Sequence, residues 1–419
     1  MSYIPSVHLI VDKTGVNLYT AATLRTLMNR YGVIETSPEN ADAIWVSISH
    51  TDDLPTLKNA RKIAGKRPLI MGGFESFFPV PYLAYADAIC VGEGLEMIKE
   101  WGKHGYGALD LPCFLTREKY ESNRTIYPSY EVPYKEAPLL KLPGKERYYY
   151  LAGRGCKGKC SFCATSWIQP HTECPAHLVE KVVSFVENKK GKINLISNDS
   201  ESVRRSKSIN AQSVRVRDYL KNPERYRASM LHFGIEFWEQ KNRALNGKPI
   251  SDEEICELIN VTKKYKQKCE FFFIVGYKEW SMESIERFSN ILPIDTDLYP
   301  AIHVKGTYLD PTPHTPLSNE KINPVYFDNK KALDILGSKN KRFRVFPTRS
   351  TARSAFASVF HRATPEEVLL LGNAPMDTNN DKSFCMFQEE LDKKGLKNLL
   401  DSSRMLNEKL IKTSIRIEK

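Results

Sequence analysis

The chain has 419 residues, too many for one ordinary hydrophobic core, so two or three domains are expected. With 41% hydrophobic and 26% charged residues it is neither disordered nor fibrous, and no apolar run reaches the ~18 residues a membrane-spanning helix needs. A net charge of +11 gives a weak preference for a polyanionic partner.

The opening residues lack a basic segment followed by an apolar one, so no secretory leader is expected and a cytoplasmic location follows. Val7–Val11 reads as a buried strand, followed by a helical pattern through Leu18, Leu24, Leu27 and Met28. Ala43–Ile48 is the next strand, and the helix after it carries Leu54, Leu57 and Ile63. Pro68–Met71 runs into Gly72 and Gly73, and Ala88–Val91 into Gly92, Glu93 and Gly94. Strands this apolar, alternating with helices, imply an α/β domain built on a doubly wound parallel sheet over 1–105. Residues 106–147 carry Pro112, Pro128, Pro133, Pro138 and Pro143, and read as a linker with little regular structure.

A second βα series fills 148–310. Its strands are expected at Tyr148–Ala152, Ile193–Ser197, Ser213–Tyr219, Met230–Glu236, Glu270–Val275 and Pro300–Val304. Helices are clearest at Leu178–Glu187, Asp252–Tyr265 and Met282–Ile291. Six parallel strands with intervening helices make a partial (β/α)6 barrel, whose site belongs at the C-terminal strand ends. Residues 311–419 read as a C-terminal α/β extension and a candidate substrate-binding region.

The first barrel strand runs straight into Gly153-Arg-Gly-Cys156-Lys-Gly-Lys-Cys160-Ser-Phe-Cys163. Thiolates are soft ligands for iron–sulfur clusters or zinc, and three on one loop can reach a single centre. Three ligands on a four-iron cluster leave one iron open to a chelating substrate. A zinc site needs a fourth ligand, for which Cys174, His171 and His177 are the candidates. Cys90, Cys113, Cys256, Cys269 and Cys385 are scattered and read as small hydrophobes.

The cysteine spacing, with Phe162 before the third cysteine, resembles the C-x3-C-x-aromatic-C signature of the radical S-adenosylmethionine (SAM) superfamily. The resemblance spans roughly residues 1–310. It implies a 4Fe–4S cluster on Cys156, Cys160 and Cys163, SAM bound to the open iron, and reductive cleavage to a 5′-deoxyadenosyl radical. His232–Glu236 looks like the family's G-x-E stretch, 242–248 like the segment after it, and 273–276 like its glycine-ended fifth strand. By the same resemblance Asn198, Arg217 and Glu236 lie near SAM, and Phe162 packs beside its adenine. A flavodoxin or ferredoxin is the implied electron donor.

The first domain is similar to the cobalamin-binding domain preceding one branch of these barrels, on Gly72-Gly73, Asp87 and Gly92-Glu93-Gly94. That branch's D-x-H-x-x-G loop is missing; Asp12-Lys-Thr-Gly15 stands there without a histidine, which leaves cobalamin open. The three N-terminal cysteines of methylthiotransferases are also absent, since that region has only Cys90 and Cys113. Hydrogen abstraction with rearrangement of the substrate radical is then the leading chemistry.

Two basic windows point to nucleic acid or a modified nucleotide as substrate. One holds Arg204, Arg205, Lys207, Arg215, Arg217, Lys221, Arg225 and Arg227; the other, 330–362, interleaves basic residues with Phe343, Phe346, Phe356 and Phe360. An isomerase like those that rearrange hypermodified thymidine in phage DNA fits these features. The alternatives are a cobalamin-dependent methyltransferase, a radical enzyme acting on peptides or small molecules, and a non-enzymatic cluster or zinc module that binds nucleic acid.

Overall fold

The computed structural model describes residues 4–11, 15–197, 206–275, 282–291, 303–308, 344–347, 351–372, 382–402, 404 and 406–412. The first part of the chain runs β1 (Ser6–Val11), α1 (Gly15–Arg30), β2 (Ile34–Glu35), β3 (Ala43–Ser47), α2 (Leu54–Ala64), β4 (Leu69–Gly72), β5 (Ala88–Cys90) and α3 (Leu95–His104). These strands form one parallel sheet in the order β2-β1-β3-β4-β5. Alternate residues feed two separate cores. Ile44, Val46, Leu69, Met71 and Ile89 pack with Leu54, Leu57 and Ala60 of α2. Ala43, Trp45, Ile70 and Ala88 pack with Leu27 and Met28 of α1 and Ile98 and Trp101 of α3. Burial on both faces explains the unbroken apolar runs, and the doubly wound sheet is as expected.

Residues 106–147 hold more regular structure than their prolines suggest. Phe114–Thr116 forms β6, which pairs antiparallel with β5 and closes that edge of the sheet. Thr116 then caps the short helix α4 (Arg117–Glu121), accepting a hydrogen bond from the Lys119 N–H. The prolines fall between these elements, while Cys113, Phe114 and Leu115 are buried; three apolar residues suffice for an edge strand.

The second part begins with β7 (Leu140–Lys141), antiparallel to β8 (Arg147–Leu151). It continues through β9 (Gly153–Arg154), α5 (Thr165–Ile168), β10 (Thr172–Glu173), α6 (Ala176–Asn188), β11 (Lys192–Ile196), β12 (Ala211–Ser213) and α7 (Val216–Lys221). Then follow β13 (Met230–Glu236), α8 (Gln240–Leu245), α9 (Asp252–Lys264), β14 (Cys269–Val275), α10 (Met282–Ile291), β15 (His303–Tyr308) and β16 (Arg344–Pro347). Strand β8 pairs parallel with β11, and β12 to β16 form a parallel ladder in chain order. Among the described residues, one parallel bridge, Ile193 to Ile209, links the two sheets. Strands succeeding one another in this way are what an open βα barrel needs.

All six expected barrel strands start within three residues of their expected positions, but the third does not run as far as expected. Ser213–Tyr219 is a strand only to Ser213 and becomes helix α7 from Val216. Val216 and Tyr219, three apart, are the buried residues of that segment, and this spacing turns one helical face to the core.

In β13, Leu231, Phe233 and Ile235 pack against the helices, whereas His232, Gly234 and Glu236 face the opposite side. Helix α9 is started by a reciprocal cap between Ser251 and Glu254. The helices Thr351–Arg362, Pro365–Leu371 and Lys382–Lys393 return to the first domain. Phe356, Phe360, Val368, Leu371 and Phe387 share one core with Phe78, Tyr82 and Ile89. No described helix is long and apolar enough to cross a membrane.

Candidate iron–sulfur and SAM site

The cysteine loop leaves β8 at its C-terminal end and is held by backbone geometry before any side chain acts. Gly155 has φ +65, and a Cβ there would stand 2.3 Å from the Pro170 carbonyl oxygen, so only glycine fits. Beyond the turn, the Trp167 indole N–H donates to the Cys160 carbonyl at 2.8 Å, and the Gly158 N–H reaches Cys156 Sγ at 3.3 Å.

The segment after β13 closes over the same loop. Gly247 has φ +76, and a Cβ there would meet the Lys159 carbonyl oxygen at 2.8 Å. Ser161 Oγ hydrogen-bonds Asn246 Oδ1. Arg243, fully buried, pins the segment by donating to the carbonyls of Ile250, Phe237 and Trp238 and pairing with Asp252.

Cys156, Cys160 and Cys163 line one cavity of about 330 Å³ with Phe162, Thr165, Ser166, Arg215, His232, Glu236, Lys248 and Phe272 among its other walls. Among the described residues, no three His, Cys, Asp or Glu side chains converge on a single ion. A four-iron cluster gives each thiolate its own iron, so its ligands surround it instead of meeting at a point. Three thiols around a cavity suit that group better than tetrahedral zinc. Cys174, a candidate fourth ligand, is buried in the core beside Tyr150 Oη at 3.7 Å and does not line the cavity. His171 is engaged with Glu173 at 2.9 Å.

The cavity's polar wall is arranged for a ligand. Ser166 is buried, and its Oγ has no hydrogen-bond partner within the protein. Lys248 Nζ stands 3.4 Å from Glu236 Oε1. Glu236 has φ +70 at a bulge in β13, a conformation uncommon for a side-chain-bearing residue. A Cβ at Gly234 would come within 2.2 Å of that carboxylate, so the glycine of G-x-E makes room for its own glutamate. Burial pushes the Glu236 carboxyl up against the opposing pull of Lys248. Burial works against the Lys248 charge, but Glu236 and then Cys160 raise its pKa overall. Burial also pushes the Cys160 thiol up to about 11. Phe162 packs edge-on against Phe237 at 5.5 Å, making an apolar wall beside the thiols.

Of the other expected residues, Asn198 lies outside the described residues. Arg217 is not at the cavity. On α7, its guanidinium binds Glu254 at 2.6 and 3.2 Å and the Pro249 carbonyl. The arginine in the cavity wall is Arg215, two residues earlier in the loop before the helix. Lys248, Ser166, Thr165 and His232 were also not singled out from the sequence as individual site residues. Lys248 ends and His232 begins segments the resemblance did mark; Thr165 and Ser166 carry no local signal.

A second cavity of about 310 Å³ lies beyond the C-terminal ends of β3, β4 and β5. Its walls combine Trp45, Met71, Phe74, Gly92 and Glu93 of the first domain with Leu151, Arg154, Gln169 and Ile196 of the second. Trp45 brings a buried indole N–H with no partner. No described histidine lines it.

No family model matches the chain. An uncharacterized protein of Methanocaldococcus jannaschii is 23% identical over 328 residues, covering 68% of this chain and 70% of that one. Two kinds of solved structure resemble it far more fully in shape. The radical SAM methyltransferase TsrM from Kitasatospora setae, with cobalamin and a 4Fe–4S cluster bound, superposes with a TM-score of 0.57 at 10% identity, covering 94% of this chain and 100% of that one. The cobalamin-dependent SAM radical enzyme OxsB, with aqua-cobalamin bound, gives 0.53 at 13% identity, covering 96% and 78%. The fold is that of cobalamin-dependent radical SAM enzymes. This likeness covers both domains and the C-terminal helices, whereas the sequence resemblance reached only about residue 310.

The structure removes one expectation about substrate. Phe356 and Phe360 are core residues, buried against Phe387 and Tyr82, and cannot stack on bases. Arg362 is buried among them beside Ser358. Phe343, Arg204 and Arg205 lie outside the described residues.

Proposed function

We propose that this protein is a cobalamin-dependent radical SAM enzyme that transfers a methyl group. The observation carrying this reading is the ring of three thiols around one cavity, with no fourth cysteine in its described walls and a second ligand-sized cavity across the loop. When bound, a three-cysteine 4Fe–4S cluster supplies the electron that breaks a carbon–sulfur bond of SAM, and a corrinoid in the second cavity supplies a methyl carrier.

The residues divide the work. Cys156, Cys160 and Cys163 hold three irons, and the Lys248 ammonium offsets the thiolates' negative charge. Arg215 presents a guanidinium suited to the SAM carboxylate. Glu236 and Ser166 offer hydrogen bonds to its amine and ribose. Phe162, Phe237 and Ile274 keep water from the thiol side. The proposed electron source is a flavodoxin or ferredoxin. With Phe356 and Phe360 of the second basic window in the core, the support for a nucleic-acid substrate is weaker, and methyl transfer displaces base rearrangement as the leading reading.

Anaerobically reconstituted protein with dithionite, assayed with and without hydroxocobalamin and with and without DNA, tests this. S-adenosylhomocysteine formation that requires hydroxocobalamin is the expected result. 5′-Deoxyadenosine formed equally without the corrinoid and stimulated by DNA would instead favour the radical isomerase.

A further inference from the structure

Glu93 belongs to the Gly92-Glu93-Gly94 turn that ends β5, and its backbone is fixed independently of its side chain. Its N–H donates to the Ser129 carbonyl at 2.8 Å, and Gly92, at φ +97, would drive a Cβ to 2.1 Å from that same oxygen. The turn therefore aims the Glu93 carboxylate across the second cavity toward the other domain. There Oε1 accepts from Arg154 Nε at 2.8 Å and from Gln169 Nε2 at 2.7 Å.

Those two partners bracket the thiols. Arg154 lies two residues before Cys156, and Gln169 six residues after Cys163. One oxygen from the first domain thus grips both ends of the cysteine loop. Glu93 is only about a fifth exposed, so water competes weakly for these bonds. Glu93, Arg154 and Gln169 also line the second cavity, so whatever fills that cavity touches the clamp.

We infer that Glu93 is a positioning residue that holds the cysteine loop in ligand-ready form and couples it to occupancy of the second cavity. The coupling part rests on the corrinoid reading above; the clamp itself does not.

The test uses metal-free, full-length protein and iodoacetamide, with alkylation of each cysteine followed by mass spectrometry. Both bonds end on one oxygen, which the Gln amide carbonyl reproduces, so Glu93→Gln should keep the clamp while Glu93→Ala removes it. Glu93→Ala should make Cys156 and Cys163 about tenfold faster to alkylate. Cys174 and Cys269 should be unchanged, and Glu93→Gln should stay near wild type. Gln169→Ala removes one bond only and should give an intermediate rate, weighted toward Cys163. Unchanged rates at Cys156 and Cys163 in Glu93→Ala would overturn the clamp. Equal acceleration at Cys174 and Cys269 would also overturn it, because it would report general unfolding.

Hydroxocobalamin added to the metal-free wild type should slow alkylation of Cys156 and Cys163, an effect lost in Glu93→Ala. Binding seen in the visible spectrum without slowing would overturn the coupling. If hydroxocobalamin does not bind at all, the corrinoid reading fails while the variant series still decides the clamp.

Discussion

At the residue scale, two arginines separated by one position have different surroundings. Arg215 lines the cavity with the cysteines, and Arg217 is spent on Glu254. Arg215→Ala should weaken SAM binding by about tenfold or more, the loss expected for a charge-assisted hydrogen bond, in an equilibrium binding measurement. Arg217→Ala should leave SAM affinity unchanged. The sequence could not separate the two, because in a strand running through Tyr219 both would share one face. Only the helical turn at Val216 breaks that equivalence. Arg243 shows another kind of hidden role. It lies in the segment that resembles the one after G-x-E, but its buried guanidinium holds three backbone carbonyls and pairs with the partly exposed Asp252. Arg243→Ala should cost roughly 3–5 kcal/mol in chemical denaturation, because three buried carbonyls lose their donor at about 1–3 kcal/mol each.

At the scale of elements, apolar runs were the readable signal. The strand over 230–236 was expected, the resemblance marked His232–Glu236 within it, and in the structure the period of two turns His232, Gly234 and Glu236 to the cavity wall. The edge strand β6 and helix α7 were not readable, since three apolar residues or one helical turn give too short a pattern. The Arg217–Glu254 pair joins α7 to the cap of α9 and has a defined pH dependence. The Arg217 hydrogen bonds hold the Glu254 carboxyl below its usual range, against the opposing effect of burial. A depressed carboxylate stabilises the fold above its unfolded pKa of ~4.3, and that stabilisation fades as pH falls through the lower folded value. The pair is partly exposed, so Arg217→Ala should destabilise by no more than about 1 kcal/mol near neutrality. The difference between variant and wild type should shrink below about pH 4 in thermal melts.

At the scale of the molecule, the C-terminal residues were legible only as an α/β extension, with neither their helices nor their docking assigned. Long-range packing such as Phe360 on Tyr82, with ring centroids 4.9 Å apart, leaves no mark in local sequence. Composition alone made those residues look like a basic, aromatic surface; burial makes them the third layer of the first domain. Phe360→Ala should therefore destabilise the protein by roughly 3–5 kcal/mol, measured by denaturant unfolding. A surface role would predict almost no change. The cysteine loop, by contrast, was legible from its spacing as a cluster or zinc loop, and the resemblance narrowed it to a three-cysteine cluster. The two cavities could not be read locally, since each is walled by residues from distant strands.

The most direct measurement is electron paramagnetic resonance of the anaerobically reconstituted, dithionite-reduced protein, recorded with and without SAM. A 4Fe–4S signal that changes when SAM is added, and that Cys160→Ala lacks, is the predicted result. A signal indifferent to SAM, or one that persists unchanged in Cys160→Ala, would contradict a three-cysteine cluster open at one iron.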